Sequence, residues 1–190
     1  MRPGSATAAD RVAPDLQIVT NLARRPEFDP RRVILRFPRD PWLDDLKNAN
    51  AVIIGSVGSN PWAAVAGQSS NFRIVYRKDM QAATMINMDP QPGEAASYVS
   101  HWNESAHETF ATVSYLPNLG GNGRLLLLQG LDVAGTQAAA ETLFRDDVLA
   151  PILRRAKRRD GSLRFFEVLL RSTSIQSSAT ETQVIAVRMR

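Results

Sequence analysis

Short apolar runs, separated by small and polar residues, divide the chain into alternating strand and helix signals, and two of these runs end in the same way. Ala51-Val52-Ile53-Ile54 stops at Gly55, and a loop of small residues then leads to Asn60-Pro61-Trp62. Asn60 suits a helix N-cap because its side-chain oxygen can accept from first-turn amides, and Pro61 suits the first helical position, where no amide partner is needed. Leu125-Leu126-Leu127-Leu128 ends in Gln129-Gly130, passes through Leu131 to Gly135, and enters a helix expected to begin at Thr136. Each unit reads as strand, loop and helix, with small residues and open amides at the junction. Four consecutive leucines fit a strand covered on both faces, so this strand is expected at the centre of a sheet with helices above and below.

The remaining pattern places a mobile tail at 1–10 and a short helix over 15–25, with Leu16, Val19 and Leu22 or Ala23 on one side. A short strand is expected at Arg32–Phe37, a helix at Trp42–Asn48 opened by Asp40-Pro41, and strands at Phe72–Tyr76 and Ala82–Asn87. Asp89 to Gly93 is a turn, and 94–102 carries no clear period. Thr109–Leu116 forms a hairpin with the leucine strand across the glycine-rich tip 117–123. Helices follow at Thr136–Arg145 and Asp147–Lys157. The strands Leu163–Arg171 and Val184–Met189, joined by a polar loop, make an antiparallel edge hairpin. Alternation of strands and helices predicts an α/β fold: a three-layer, Rossmann-like mixed sheet, partly parallel, with that antiparallel hairpin at the C-terminus. The expected organisation is an N-terminal extension over 1–30 and a single α/β domain over 31–190.

Composition narrows the chemistry. A chain of 190 residues with 44% hydrophobic content is long enough for one substantial core. The absence of cysteine excludes disulfides, thiolate nucleophiles and cysteine-based metal sites. With 23 basic and 19 acidic residues, the formal charge of +4 permits an anionic partner without demanding one. The start of the chain has no apolar leader and no run approaches the ~20 residues of a membrane span. A cytoplasmic protein with no membrane partner is the expectation.

If the strands ending at Ile54 and Leu128 are parallel, their loops leave the same sheet edge, where open α/β sheets bind ligands against helix N-termini. The candidate ligand-binding residues are Gly55, Ser56, Ser59, Asn60, Gly130, Asp132, Gly135 and Thr136, and the natural candidate is a small anion: a phosphate, a carboxylate or a nucleotide. Neither loop has the lysine of a phosphate loop or the spacing G-x-G-x-x-G; Gly55-Ser56-Val57-Gly58 is a distant echo. Asp132 can orient a ligand hydroxyl or stabilise the turn. No catalytic residue is assigned.

His101-Trp102-Asn103-Glu104-Ser105-Ala106-His107-Glu108 gathers both histidines with two carboxylates. Six residues apart, the histidines lie about 240° apart on a helix, unlike a zincin pair, but on one face of a strand. A solvated loop is favoured over a metal or acid-base site, and no metal is expected. Arg154-Arg155-Ala156-Lys157-Arg158-Arg159 reads as a helix end whose cations complement the dipole. Nucleic acid is therefore not an expected partner. Trp42, Trp62 and Trp102 read as core or interface anchors.

Several separated pieces resemble an uncharacterised bacterial α/β domain found behind winged-helix or other regulatory modules. They are Ile53-Ile54-Gly55-Ser56 with Asn60-Pro61-Trp62, then Phe72, Asn87, Pro92-Gly93-Glu94, Tyr98, Pro117-Asn118, and Gly130 with Gly135-Thr136 and Ala138-Ala139. The resemblance covers about 32–145 and implies a sensory or regulatory role. The start of this chain carries no evident winged helix. Three functions remain in view: a regulatory domain binding a small anion at the two junctions; a hydrolase of a nucleotide or glycosidic bond in the same cleft, for which Asp132 is the available acid; and an interaction or oligomerisation module, engaging a regulatory partner or itself, that takes no small ligand.

Overall fold

The computed structural model describes residues 8–26, 28–40, 43–77, 82–101 and 104–190. Two compact units divide the chain, Met1–Phe37 and Pro38–Arg190. The first contains helix α1 (Ala8–Ala23), which takes in part of the expected tail; residues 1–7 lie outside the described residues. The strand expected at Arg32–Phe37 does not form. A 3-10 turn at Pro30–Arg32 leads instead into irregular chain, with Val33, Ile34, Leu35 and Phe37 exposed. Strand propensity expresses fit to a half-buried pleated surface, and no strand among the described residues provides one here.

The second unit runs α2 (Leu43–Asn48), β1 (Ala51–Ile54), α3 (Pro61–Ala66), β2 (Phe72–Arg77), β3 (Ala82–Asn87) and β4 (Ser97–Ser100). It continues with β5 (Ala106–Pro117), β6 (Arg124–Gly130), α4 (Val133–Thr142), α5 (Asp146–Ala156), β7 (Phe166–Ile175) and β8 (Ser178–Met189). Five strands form a sheet in the order β1-β6-β5-β7-β8, and β2-β3-β4 form a separate one. The pair β1–β6 is parallel, from Ala51↔Leu125 to Ile54↔Leu128. Every other pairing is antiparallel.

This overturns the three-layer Rossmann-like expectation. A doubly wound sheet needs successive parallel crossovers of a dozen or more residues, usually helical. The links between β2 and β3 and between β3 and β4 are shorter, so Phe72–Arg77 turns back into its own antiparallel sheet instead of joining β1. The polar loop expected near 172–183 is also strand. β7 and β8 run on to a turn at Gln176-Ser177, whose positive φ values of 49° and 64° match the twist of a tight hairpin.

Period-two alternation assigns the faces of the large sheet. Ile53, Leu116, Leu125 and Leu127 pack with Leu46 of α2 and with Ala63 and Ala66 of α3. Farther along that face, Phe110, Leu169 and Ala186 meet Phe72, Ile74, Ala83 and Met85 of the small sheet. Leu128 and Gly130 point the other way, towards α4: a Cβ on Gly130 would collide with the Thr136 amide. Alanine-rich α4 has no bulky side chain to hold it off the sheet, and it contacts β5, β6, β7 and β8.

Candidate functional site

The two strand-loop-helix junctions do leave neighbouring strands at the same sheet edge, and their helices depart to opposite faces. Gly55, at a φ of 94° that L side chains rarely adopt, donates its amide to Leu128 O at 2.9 Å. Asn60 caps α3 as its position suggests: Oδ1 accepts from Trp62 N at 3.1 Å, and Nδ2 donates to Ile54 O at 3.2 Å. The Ser56 carbonyl accepts from Ser59 N, Asn60 N and Ser59 Oγ, while Ser56 Oγ shares a hydrogen bond with the Tyr76 hydroxyl of β2. Ser56 and Asn60 are buried.

The second junction is built differently from its expected form. Helix α4 begins at Val133, three residues before Thr136, because Asp132 is the cap: its Oδ1 accepts from Gly135 N at 2.7 Å. Thr136 lies within the first turn, buried, and donates Oγ1 to Asp132 O at 3.1 Å. Gly135 is packed against β5, where a Cβ would lie 2.9 Å from Phe110 O and 3.0 Å from Gly130 Cα. These glycines permit close contact of helix and sheet. They do not present open amides to solvent.

The structure adds two residues to this junction. Thr109 Oγ1 donates to Asp132 Oδ1 at 2.7 Å, and His107 Nε2 meets Asp132 Oδ2 at 2.7 Å. The other ring nitrogen, Nδ1, lies 2.9 Å from Glu104 O. Both bonds form together when the ring carries a proton on each nitrogen, since a carbonyl and a carboxylate are both acceptors. The side chains of His107 and Asp132 are only 8% and 14% exposed. Both ring nitrogens and both carboxylate oxygens are thus engaged within the protein. Even spacing along β5 would have revealed the shared face of His107 and Thr109; their partner Asp132, 25 and 23 residues away, was not legible. His101 precedes β5 and is exposed, so the two histidines do not converge. The described residues contain no group of three His, Asp or Glu suited to a metal.

A second polar centre lies between the two sheets. Glu94, in the turn before β4, receives two hydrogen bonds from the Arg188 guanidinium and one from Asn87 Nδ2 at 2.9 Å. The Arg188 pairing holds the Glu94 carboxyl at about 2, well below the ordinary value of 4.5. Asn87 Oδ1 accepts from Asn71 Nδ2 at 2.8 Å, and Asn71 N reaches both oxygens of Glu167 at 3.0 Å. Glu167 is fully buried and also binds Ser70 Oγ and Arg190. Asn87 and Glu94 stand among the residues that carry the family resemblance. Glu167 gave one signal, a lone acid within the apolar strand Phe165 to Leu170.

Of the tryptophans, Trp62 packs against the core and donates Nε1 to Asp40 O at 3.2 Å; Pro41, Trp42 and Trp102 lie outside the described residues. No helix among the described residues is long and apolar enough to cross a membrane. No family model, curated protein or solved structure matches the chain.

Proposed function

We propose that the unit Pro38–Arg190 is a non-catalytic interaction module of a regulatory protein and that its β8 edge pairs with a second copy. The observation that carries this reading is the contrast between the polar clusters, whose groups are turned on one another, and the twelve-residue strand at the sheet edge. Near its start that edge is already engaged, by Gln137 Oε1 on Ala179 N and by Arg145 on Thr182 O. The register shift between Ser172 and Ser174 distorts the same half, and the one between Leu169 and Leu170 leaves Ile185 as a bulge farther along. The stretch from Gln183 to Met189, which carries that bulge and in which Arg188 donates to Val187 O at 3.4 Å, has Val184 38% exposed, and an edge strand is a template for strand addition. Light scattering across a concentration series tests the reading. A dimer is expected for the wild type and a monomer for Val184→Lys; a wild type that stays monomeric throughout contradicts it.

A small ligand at the junctions is the second reading, and one observation favours it: adjacent parallel strands β1 and β6 send their helices to opposite faces, the geometry at which open sheets form a binding crevice. The donors of α3 are already spent on Asn60, so such a ligand would rely on the Val133 and Ala134 amides beside Asp132. Thermal-shift screening with nucleotides and phosphorylated metabolites tests it, with stabilisation by any of them expected if it holds. Asp132, the acid on which the hydrolase reading rests, is engaged by the cap, Thr109 and His107.

A further inference from the structure

The opposite end of the large sheet is strongly basic, and most of its charge has no partner. Helix α5 ends at Ala156, so Arg154 and Arg155 occupy its last turn while Lys157, Arg158 and Arg159 lie beyond it. Complementing the helix dipole accounts for the first two only. The chain then folds back onto the sheet through the Lys157↔Leu163 bridge and a hydrogen bond from Arg164 N to Ala156 O. Arg164 is exposed, as are the five cations of the 154–159 cluster, and none of them forms an ion pair among the described residues. The acid in this loop, Asp160, is exposed, accepts from Ser162 N and Oγ, and has the Arg158 charge nearby.

Aromatic groups lie at the same end. Sheet register puts Tyr115 opposite Phe166 and Pro117 opposite Arg124, so the end of β5 and the starts of β6 and β7 meet here. The half-buried ring of Phe165 lies 5.7 Å from that of Tyr115, and the Arg124 guanidinium sits 5.3 Å from the Phe165 centroid. Phe166, the next residue, is buried in the core. A cation over an aromatic ring is a flat, positively charged surface, and nucleobases stack on such surfaces while nearby guanidinium groups hold the phosphates.

We infer that this end of the sheet binds single-stranded nucleic acid, with the 154–159 cluster and Arg164 on the phosphates and Arg124 with Phe165 under a base. Phe165 and Phe166 are the aromatics nearest the cluster in sequence, in a strand where at least one is expected to face the core; Phe166 does, and the fold adds Tyr115 and Arg124 beside Phe165.

The test is fluorescence anisotropy with a labelled fifteen-residue oligothymidylate and the full chain. Affinity is expected to fall about 20- to 50-fold between 50 and 200 mM salt, as three or four phosphate contacts require. Replacing Arg158 and Arg159 by Gln, outside the helix, should lower the log–log salt slope by about 1.4, and Phe165→Leu should weaken binding about tenfold with little change in slope. Melting curves confirm that each variant is folded. The inference is overturned if the wild type does not bind at 50 mM salt, or if folded variants bind like wild type. It is also overturned if vesicles containing phosphatidylserine capture the protein through the same arginines while the oligonucleotide does not.

Discussion

The two ends of the five-stranded sheet use polar residues in opposite ways. At the junction end, Asn60, Ser56, Asp132, Thr109 and His107 are buried or nearly so, and each finds its partner within the protein. At the other end, Arg154, Arg155, Lys157, Arg158, Arg159 and Arg164 are exposed and most of the charge faces water. Glycine, serine and aspartate at strand-helix junctions look like a ligand cradle in sequence, yet here they serve close packing and capping. The cationic run, which looks like a helix terminus, extends past its helix and meets aromatic rings. What separates the two ends is whether the hydrogen-bonding groups are satisfied internally.

The sharpest way to break this comparison is at Gly130. If the junction is packing and not a cradle, Gly130→Val places atoms inside the α4 backbone, and a loss of more than about 4 kcal/mol, read as failure to accumulate folded protein, is expected. Gly135→Val should behave similarly, its Cβ meeting backbone of β5 and β6. Asp132→Ala removes a cap and strands His107 and Thr109, so urea denaturation should show a loss of about 2–3 kcal/mol.

The polar centre between the sheets sharpens the contrast through pH. The folded Glu94 carboxyl is held at about 2 against an ordinary 4.5, so its contribution is fully present above 4.5 and is lost as pH falls towards 2. Allowing for the solvent on its open side, about 2 kcal/mol should disappear over that window, and Arg188→Gln should flatten the acid limb of the stability curve. The smallest effect belongs to the basic end: neutralising Arg154, Arg155, Lys157, Arg158 and Arg159 should change stability by no more than about 0.5 kcal/mol.

Local chemistry was legible where it depends on neighbours in sequence. Asn60-Pro61 announced the start of α3, the leucine run announced a strand covered on both faces, though it lies next to the edge strand β1 and not at the centre, and the glycine-rich tip announced the β5–β6 hairpin. What failed depended on distance. Phe72–Tyr76 has the same strand signal whether it joins β1 or turns back on β3, and only the lengths of the links between β2, β3 and β4 decide between them. Asp132 was weighed as a turn residue or a ligand contact, with the helix start placed at Thr136, because the pairing of β5 with β7 and the approach of α4 that bring His107 and Thr109 to it are tertiary facts. Glu167 showed only as a lone acid in an apolar strand, because its partners Ser70 and Asn71 are nearly a hundred residues away.

Hydrogen exchange with mass readout, run with and without the fifteen-residue oligothymidylate, compares the two ends in one experiment. The account predicts strong protection of peptides spanning 55–60 and 131–136 in the free protein, unchanged by the oligonucleotide, with new protection confined to 154–165 and the start of β6. Rapid exchange at the junctions, or protection that appears there and not at the basic end when the oligonucleotide is added, would contradict it.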